Sequence, residues 1–247
     1  MYDWNLGGSL DWYVQNSGLN AVELNASFYR FPYPNQVKSW ARKGRGLSWS
    51  IKVHRSITHA ARLSQKALRI WEKFRKLFEP LDDLVSFYLF QLPPNFPSTS
   101  ENVRRVCSFI ENADLEERLA IEFRHESWFR NSFVKLVEKL GAVYVSVDSP
   151  TITWICSSNG TIYLRLHGRT SWYSHNYSKE ELAELVERTL ELDPDKIYVF
   201  FNNDHWMLEN ARSMLRLSES FSNPESSRLK ASSSLSQRRQ PKHEASR

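Results

Sequence analysis

Short apolar runs alternate along the chain with longer segments in which apolar residues recur every three or four positions. The runs are rich in Val, Ile and Phe, which is typical of strands that are buried on both faces. The longer segments have the spacing of helices that pack one face on a sheet. Predicted strands cover 21–25, 47–53, 85–90, 142–147, 161–166 and 196–201, and another begins at Leu119. Predicted helices cover 10–17, 34–43, 63–78, 100–113, 129–140, 178–192 and 205 to about 217, and the segment 151–159 holds none.

Strands that alternate with helices predict a parallel α/β sheet, and seven such strands are best fitted by a TIM (β/α)₈ barrel with its first strand missing. The chain opens with a polar, aromatic loop over residues 1–8 and then a helix, where a barrel should open with a strand. Either that strand lies upstream of Met1, which is the explanation we favour, or the chain closes its barrel imperfectly. The predicted domains are a barrel over residues 1–217 and a Ser- and Arg-rich C-terminal tail over residues 218–247, which we expect to be disordered.

The formal charge of +5 is concentrated near the C-terminus. From Glu219 onward there are six Lys or Arg and three Asp or Glu, a net of +3, which leaves +2 for the folded body. This balance is too small to indicate nucleic-acid binding from charge alone. Aromatic residues make up 13% of the chain and supply enough bulk for a core.

The cysteines and the hydropathy pattern predict where the protein resides. Cys107 and Cys156 are the only cysteines and lack the spacing of a metal site, which favours a reducing, intracellular setting. No apolar run reaches the ~18 residues that a membrane span requires, and no signal peptide opens the chain. We therefore predict a soluble, cytoplasmic protein with no membrane partner; the sequence does not indicate its oligomeric state.

Polar residues end most of the predicted strands, and they are spaced so that pairs share one face. The pairs are Glu23 with Asn25, Lys52 with His54, Glu122 with Arg124, Ser146 with Asp148, and Arg165 with His167. Gln91 and either Asn202 or Asn203 close two further strands. Because the C-terminal strand ends of a parallel barrel converge on one mouth, we expect these side chains to form a site there.

This set of residues has two interpretations, one structural and one functional. In the structural one, three carboxylates neutralise three cations and plug the barrel; the carboxylates are Glu23, Glu122 and Asp148, and the cations are Lys52, Arg124 and Arg165. A buried ion pair is often no more stable than apolar residues of the same volume, so a barrel that needed only stability would carry Val and Leu here. We therefore favour a functional pocket.

The cations determine the predicted ligand. His54, His125, His167, Glu122 and Asp148 are all candidate metal ligands, but three nearby cations would repel a divalent ion, so we expect neither a metal nor a cofactor. The same cations suit an anion. The loops after the last two barrel strands commonly hold phosphate, and here they offer Arg169 and Asn203, although Asn203 also suits a helix N-cap.

The predicted catalytic residues are Glu122, His167, His54 and Asp148, with the histidines as general acid or base and a carboxylate as orienting group or base. Each histidine alone is more often a hydrogen-bonded structural residue. The predicted substrate-binding residues are Glu23, Asn25, Lys52, Gln91, Arg124, His125, Arg165, Arg169, Asn202 and Asn203. Trp172 and Tyr173 would lie near the mouth and could stack on a ring, although aromatic residues more often pack. The chain contains no nucleophile elbow, P-loop or GxGxxG motif.

Together these motifs resemble domain-of-unknown-function family 72, the YecE-like proteins, from the first residues to about Leu217. The matching motifs are VELN at 22–25, SFYR at 27–30, ITH at 57–59, FQLPP at 90–94, EFRH at 122–125 with Trp128, RLHGR at 165–169 and FNND at 201–204. The resemblance implies a TIM barrel with a site at this mouth and no established activity. Members of that family usually open with a Gly-rich strand that ends in Gly-Trp before the tyrosine resembling Tyr2, which agrees with the missing strand.

We therefore predict an enzyme, a hydrolase or an isomerase or lyase, that acts on a small anionic, phosphate-bearing substrate by His/carboxylate acid–base chemistry. Two alternatives stay open. One is a non-catalytic protein that binds a nucleotide or nucleic acid, although nucleic acid is not the favoured partner. The other is a metal-dependent hydrolase.

Overall fold

The computed structural model describes residues 9–222, and in them strands and helices alternate as predicted. The strands are β1 (Ala21–Leu24), β2 (Ser48–Lys52), β3 (Val85–Gln91), β4 (Leu119–Glu122), β5 (Val143–Ser149), β6 (Ile152–Trp154), β7 (Thr161–Leu166) and β8 (Lys196–Phe201). The helices are α1 (Leu10–Asn16), α2 (Pro34–Lys43), α3 (Gln65–Phe78), α4 (Ser100–Asn112), α5 (Asn131–Lys139), α6 (Lys179–Leu190) and α7 (Met207–Ser222).

The strands form a nearly closed parallel barrel in the order β1-β2-β3-β4-β5-β7-β8. Helices cover its outer face, so the predicted TIM-like α/β architecture is confirmed. Within residues 9–222, no ladder of backbone hydrogen bonds joins β1 to β8. A cavity of about 490 Å³ runs between these two strands and the helices α6 and α7. The barrel is therefore open at the position of the strand that the sequence pattern predicts to be missing.

The short strand β6 was not predicted. It pairs antiparallel with β5 and folds back directly after it, through a turn that Ser149 stabilises. The Ser149 hydroxyl accepts from the Ile152 amide at 3.2 Å and donates to the Ile152 carbonyl at 3.0 Å. Three residues are too few to show the alternation by which a strand is recognised.

The C-terminal helix is longer than predicted. Residues 204–206 form a single helical turn, and α7 then continues to Ser222, beyond the expected end near residue 217. The first residues of the predicted tail are therefore helical. The predicted loop over residues 1–8 and the rest of the predicted tail, residues 223–247, lie outside the described residues.

The interior of the barrel is apolar for most of its length. Its core comprises Phe87, Leu89, Ala120, Val143, Val145, Val147, Tyr163 and Phe200, contributed by five strands. A second, larger core between the strands and the helices contains alternate residues of the same strands, such as Phe90 and Ile121. Residues two positions apart on a strand face the same side, so Glu122 follows Ala120 on the interior face and Arg165 follows Tyr163. Polar residues therefore close the apolar interior at the mouth.

No helix among residues 9–222 combines the length and the apolar character that crossing a membrane demands.

Candidate functional site at the mouth of the barrel

Arg165 lies at the centre of the barrel mouth, where its fully buried side chain joins two carboxylates from other strands. Its Nη2 and Nε donate to Glu23 at 2.6 and 3.0 Å, and its Nη1 donates to Glu122 at 2.5 Å. Burial raises the pKa of the Glu23 carboxyl, but the charge and hydrogen bonds of Arg165 outweigh burial and hold that pKa below its ordinary value. Arg165 is thus saturated with protein partners.

Glu122 is fully buried, and its carboxylate joins side chains from several strand ends of the mouth. Besides Arg165, its carboxylate pairs with Arg124 and His167. The Nε of Arg124 lies 2.6 Å from Oε1, but its N–H is not directed at that oxygen and forms no hydrogen bond with it. The Nε2 of His167 lies 3.2 Å from the same oxygen. Burial raises the pKa of Glu122, but the charges of Arg124 and Arg165 outweigh it and hold the pKa well below its usual range. Glu122 is therefore an anion at neutral pH.

His167 is buried and neutral at physiological pH. Burial lowers its pKa to about 4, although the hydrogen bond to Glu122 opposes the shift. Its Nε2 lies between a donor and an acceptor, 3.0 Å from Nη2 of Arg124 and 3.2 Å from Oε1 of Glu122. Its Nδ1 lies 3.3 Å from the side-chain amide of Asn202. His167 is therefore a neutral imidazole held by Arg124, Glu122 and Asn202.

Lys52 ends β2 within the same mouth, and its side chain is buried. Its Nζ lies 4.5 Å from the ring centroid of Phe28, and no carboxylate of the described residues forms an ion pair with it. Burial and then the charge of Arg165 lower the pKa of Lys52 to about 8, although Glu122 and Glu23 oppose the shift.

His54 does not join this cluster. The strand β2 ends at Lys52, so the alternation that would place residue 54 beside residue 52 stops there. The His54 ring instead packs edge-on against Phe31 with 4.6 Å between centroids, and Phe31 contacts Phe74 of α3. Its Nδ1 hydrogen-bonds the Ser56 hydroxyl at 2.8 Å. The predicted pairing of Lys52 with His54 is therefore wrong.

Asp148 lies on the outer face of the barrel, which makes its predicted place in the mouth wrong. Its carboxylate accepts from the Tyr177 hydroxyl at 2.7 Å, from Thr153 at 2.5 Å and from Arg169 at 3.2 Å. Ser146 and Asp148 do share a face, but Val145 and Val147 occupy the interior one. Arg169 also pairs with Glu184 of α6 at 2.7 Å, so it is a structural partner of the helix layer.

Asn203 is also directed away from the mouth. Its amide nitrogen donates to the His175 carbonyl at 2.8 Å and to Asn210 at 2.7 Å, and the residue is fully buried. Its Oδ1 finds no hydrogen-bond partner among residues 9–222. The adjacent Asn202 contacts His167 instead, so of the two asparagines only Asn202 lies beside the network.

A cavity of about 870 Å³ opens beside the network, over the ends of β3, β4 and β5. Three of the predicted binding residues line it: Gln91, Arg124 and His125. Trp172 and Tyr173 form an exposed aromatic wall, each 39% exposed. The Arg124 guanidinium lies 5.1 Å from the Trp172 ring centroid, and the exposed Glu126 lines the same cavity, so the lining combines one cation, one carboxylate and flat apolar surfaces. His125 also fixes its own turn, since its Nδ1 accepts from the Ser127 amide at 3.2 Å.

Tyr163 is a member of the network that the sequence reasoning missed. Its hydroxyl donates to Glu23 at 2.7 Å and lies 2.6 Å from the Ser50 hydroxyl. Asn25, which was predicted, donates to Glu23 at 3.0 Å. The signal for Tyr163 was present, because it precedes Arg165 by two residues and so shares its face.

The charges at the mouth do not cancel. Glu23 and Glu122 supply two negative charges, whereas Lys52, Arg124 and Arg165 supply three positive ones. His167 is neutral and adds nothing at pH 7. The mouth therefore carries an excess of one positive charge, and among residues 9–222 Lys52 is the cation of the mouth that forms no ion pair. Among residues 9–222, no three His, Cys, Asp or Glu side chains cluster in a way that would hold a metal ion.

A nearly closed parallel α/β barrel with a charged network at the carboxyl ends of its strands defines a TIM-like barrel protein with a candidate binding site. The model of the family described as "Protein of unknown function DUF72" matches residues 4–238, and the chain belongs to this family.

Solved structures of DUF72 family proteins are similar to this chain. A DUF72 family protein from Thermotoga maritima MSB8 is 27% identical, with a TM-score of 0.73 over 87% of this chain and 89% of that one. A DUF72 family protein from Enterococcus faecalis V583 is 23% identical, with a TM-score of 0.73 over 85% of this chain and 93% of that one. Both share the barrel fold. No match was found among curated protein sequences.

Proposed function

We propose that the mouth binds a small anionic, phosphate-bearing ligand and that the protein is an enzyme acting on it. The observation that carries the proposal is the excess positive charge in a buried network beside a cavity of ligand size. Charges in such a low-dielectric setting interact far more strongly than charges in water, so an uncompensated cation there favours an anion.

Arg124 is the residue we assign to the anion. It is the cation of the network that lines the cavity, and its side chain is 11% exposed, whereas that of Arg165 is fully buried. A guanidinium presents a planar fork of donors that matches phosphate oxygens. Gln91 lines the same cavity and offers an amide to the ligand.

His167 is the residue we assign to proton transfer. Glu122 and Arg124 orient its ring at Nε2, and a pKa of about 4 keeps the ring unprotonated at pH 7, so that it is available to accept a proton. The rings of Trp172 and Tyr173 line the cavity and lie 5.8 Å from the ring of the buried His167, so His167 lies directly behind this wall of the cavity.

A specific observation also favours a second candidate, a nucleotide-binding protein without turnover. Trp172 and Tyr173 are exposed beside Arg124, which is the combination that binds a base by stacking and a phosphate by charge. In this alternative an adenine nucleotide binds more tightly than inorganic phosphate and is recovered unchanged.

Calorimetric titration of the full chain with inorganic phosphate and with AMP tests the proposal. We expect Arg124→Gln to weaken phosphate binding by roughly ten- to a hundredfold, because a hydrogen bond to a charged group contributes about 1.5–3 kcal/mol. Arg69→Gln, at an exposed position of α3, is the matched control and should bind as the unaltered protein does.

Two outcomes would count against the proposal. Equal phosphate affinity in the Arg124→Gln and Arg69→Gln variants would show that Arg124 does not hold the anion. Saturable binding of AMP that is recovered unchanged, with no turnover of any phosphoester offered, would favour the nucleotide-binding alternative. Thermal melting of each variant shows whether a loss of affinity follows from a loss of folded protein.

A further inference from the structure

The amine of Lys52 differs from the other charged groups of the mouth because no polar side chain or backbone group of the described residues engages it. No hydrogen bond or ion pair engages its Nζ within the described part of the chain, and its neighbour is the face of the Phe28 ring. Glu23 and Glu122 are the nearby carboxylates, and Arg165 holds both. A lysine whose task was to neutralise charge would pair with one of them.

We propose that Lys52 is a nucleophile that forms an imine with a carbonyl group of the ligand. This inference rests on the proposed function, because the ligand that reacts with Lys52 is the same one whose anionic group we assign to Arg124. It names the substrate class as a small aldehyde or ketone that also carries a phosphate or a similar anionic group.

The position of Lys52 suits this chemistry. It ends β2 at the mouth of the barrel, where residues from several strand ends converge, and it lies under the influence of the charges of Arg165, Glu122, Glu23 and Arg124. A desolvated amine that adjoins other cations is the usual form of an activated lysine. The Phe28 ring, 4.5 Å from Nζ, supplies the apolar wall.

The protonation state of the amine supports the same role. Only the neutral amine attacks a carbonyl carbon, and burial together with the charge of Arg165 lowers the pKa of Lys52 to about 8. At pH 7 this leaves about one tenth of the side chains neutral, compared with about one in three thousand for an ordinary lysine.

The step balances without an oxidant or a reductant. The Nζ lone pair forms a bond to the carbonyl carbon and gives a carbinolamine. The carbon–oxygen bond then breaks, and the oxygen leaves as water with both protons of the neutral amine. The product is a carbon–nitrogen double bond, and one proton from solvent converts this imine into its cationic form.

Reductive trapping with a phosphate-bearing aldehyde tests the proposal on the full chain. The protein is incubated with pyridoxal 5′-phosphate, reduced with borohydride, and mapped by peptide mass spectrometry. We expect Lys52 to be labelled at least tenfold faster than the exposed Lys66 of α3, and inorganic phosphate to slow labelling of Lys52 but not of Lys66. Lys52→Arg should abolish that adduct, and Lys66→Arg should leave it unchanged.

The pH dependence of labelling separates a nucleophile from a lysine that only packs. Competitive acetylation of the unaltered protein should show half-maximal reactivity of Lys52 near pH 8. Labelling of Lys52 no faster than Lys66, or a reactivity that rises only in the range of ordinary lysines, would overturn the proposal. Neither measurement depends on a variant that folds.

The two proposals fail in different ways. If Lys52 is trapped equally well by pyridoxal and by pyridoxal 5′-phosphate, and phosphate gives no protection, the nucleophile stands and the anion site at Arg124 is wrong. If phosphate binds and Arg124→Gln abolishes that binding, but Lys52 is not trapped, the anion site stands and the imine is wrong.

Discussion

Glu122 holds three side chains of the mouth in position at once, because its two oxygens serve Arg165, Arg124 and His167. Replacing this carboxylate by a neutral amide leaves two guanidinium groups near one another in a buried site. We expect Glu122→Gln to lower the free energy of unfolding by about 3–5 kcal/mol, the usual cost of breaking a buried ion pair. Denaturant titration measures it.

Glu126→Gln is the control for this change, since Glu126 is exposed four residues further on and should cost less than about 0.5 kcal/mol. The pH profile gives a second check. The folded-state pKa of Glu122 lies below its unfolded value, so its ionised form stabilises the protein above that value and the contribution is lost as the pH falls through the folded pKa. Glu122→Gln should therefore flatten the decline in stability below about pH 4.3. Equal stability of the two variants at pH 7 would contradict the central role of Glu122.

The sequence correctly predicted that a residue lies in the mouth where the regular alternation of its strand reaches that residue. Glu122 and Arg165 extend strands whose interior face is already marked by Ala120 and Tyr163, and both lie in the mouth. His54 could not be predicted in the same way, because its strand ends two residues earlier. Which cation stays unpaired was also beyond the sequence, since it depends on Arg165 reaching carboxylates from two other strands.

Helix α6 shows how closely local signals can determine an element. Ser178 was predicted to begin it, and the Ser178 hydroxyl accepts from the Glu181 amide at 3.2 Å while Glu181 accepts from the Ser178 amide at 2.8 Å. This reciprocal pair forms a capping box. In α4, Thr99 caps the helix, and its hydroxyl accepts from the Asn102 amide at 3.3 Å.

The cap of α6 provides a prediction at the scale of the element. We expect Ser178→Ala to lower the free energy of unfolding by about 1 kcal/mol, because it leaves a helix N–H without its acceptor. Ser132→Ala, at an exposed position inside α5, should be neutral or slightly stabilising, since Ala has the higher helix propensity. Urea titration of both variants measures the difference, and equal effects would show that the cap contributes little.

Strand β5 shows the limit of local signals. The alternation of Ser146 and Asp148 correctly indicates that they share a face, but it does not indicate which face points inward. Val143, Val145 and Val147 fill the barrel interior, so Asp148 faces the helix layer. Both faces of this strand are buried, and a strand of that kind has no solvent side to identify its orientation.

The opening between β1 and β8 is the feature of the whole molecule at which we expect local unfolding to begin. Within residues 9–222, each of these strands pairs on one side, whereas β3 and β4 pair on both. Backbone groups of β1 and β8 that face the opening have no partner in the sheet formed by these residues, and such edges open most readily.

Hydrogen exchange tests this expectation. We expect amides of β1 and β8 to exchange at least about tenfold faster than those of β3 and β4, which corresponds to an opening free energy lower by about 1.4 kcal/mol. The central strands of the same sample serve as the control. Uniform protection across the sheet would show that the two edge strands are paired in solution.

The sequence by itself determined the parallel barrel and its strand order along the chain, because these follow from local periodicity and from how neighbouring strands connect. It also determined that polar strand ends would meet. The tertiary structure alone decided which of those side chains share a site, since burial, facing and charge pairing depend on residues far apart in the chain. It placed Glu23, Lys52, Glu122, Arg124, Arg165 and His167 together and assigned Asp148, Arg169 and Asn203 to the outer layer.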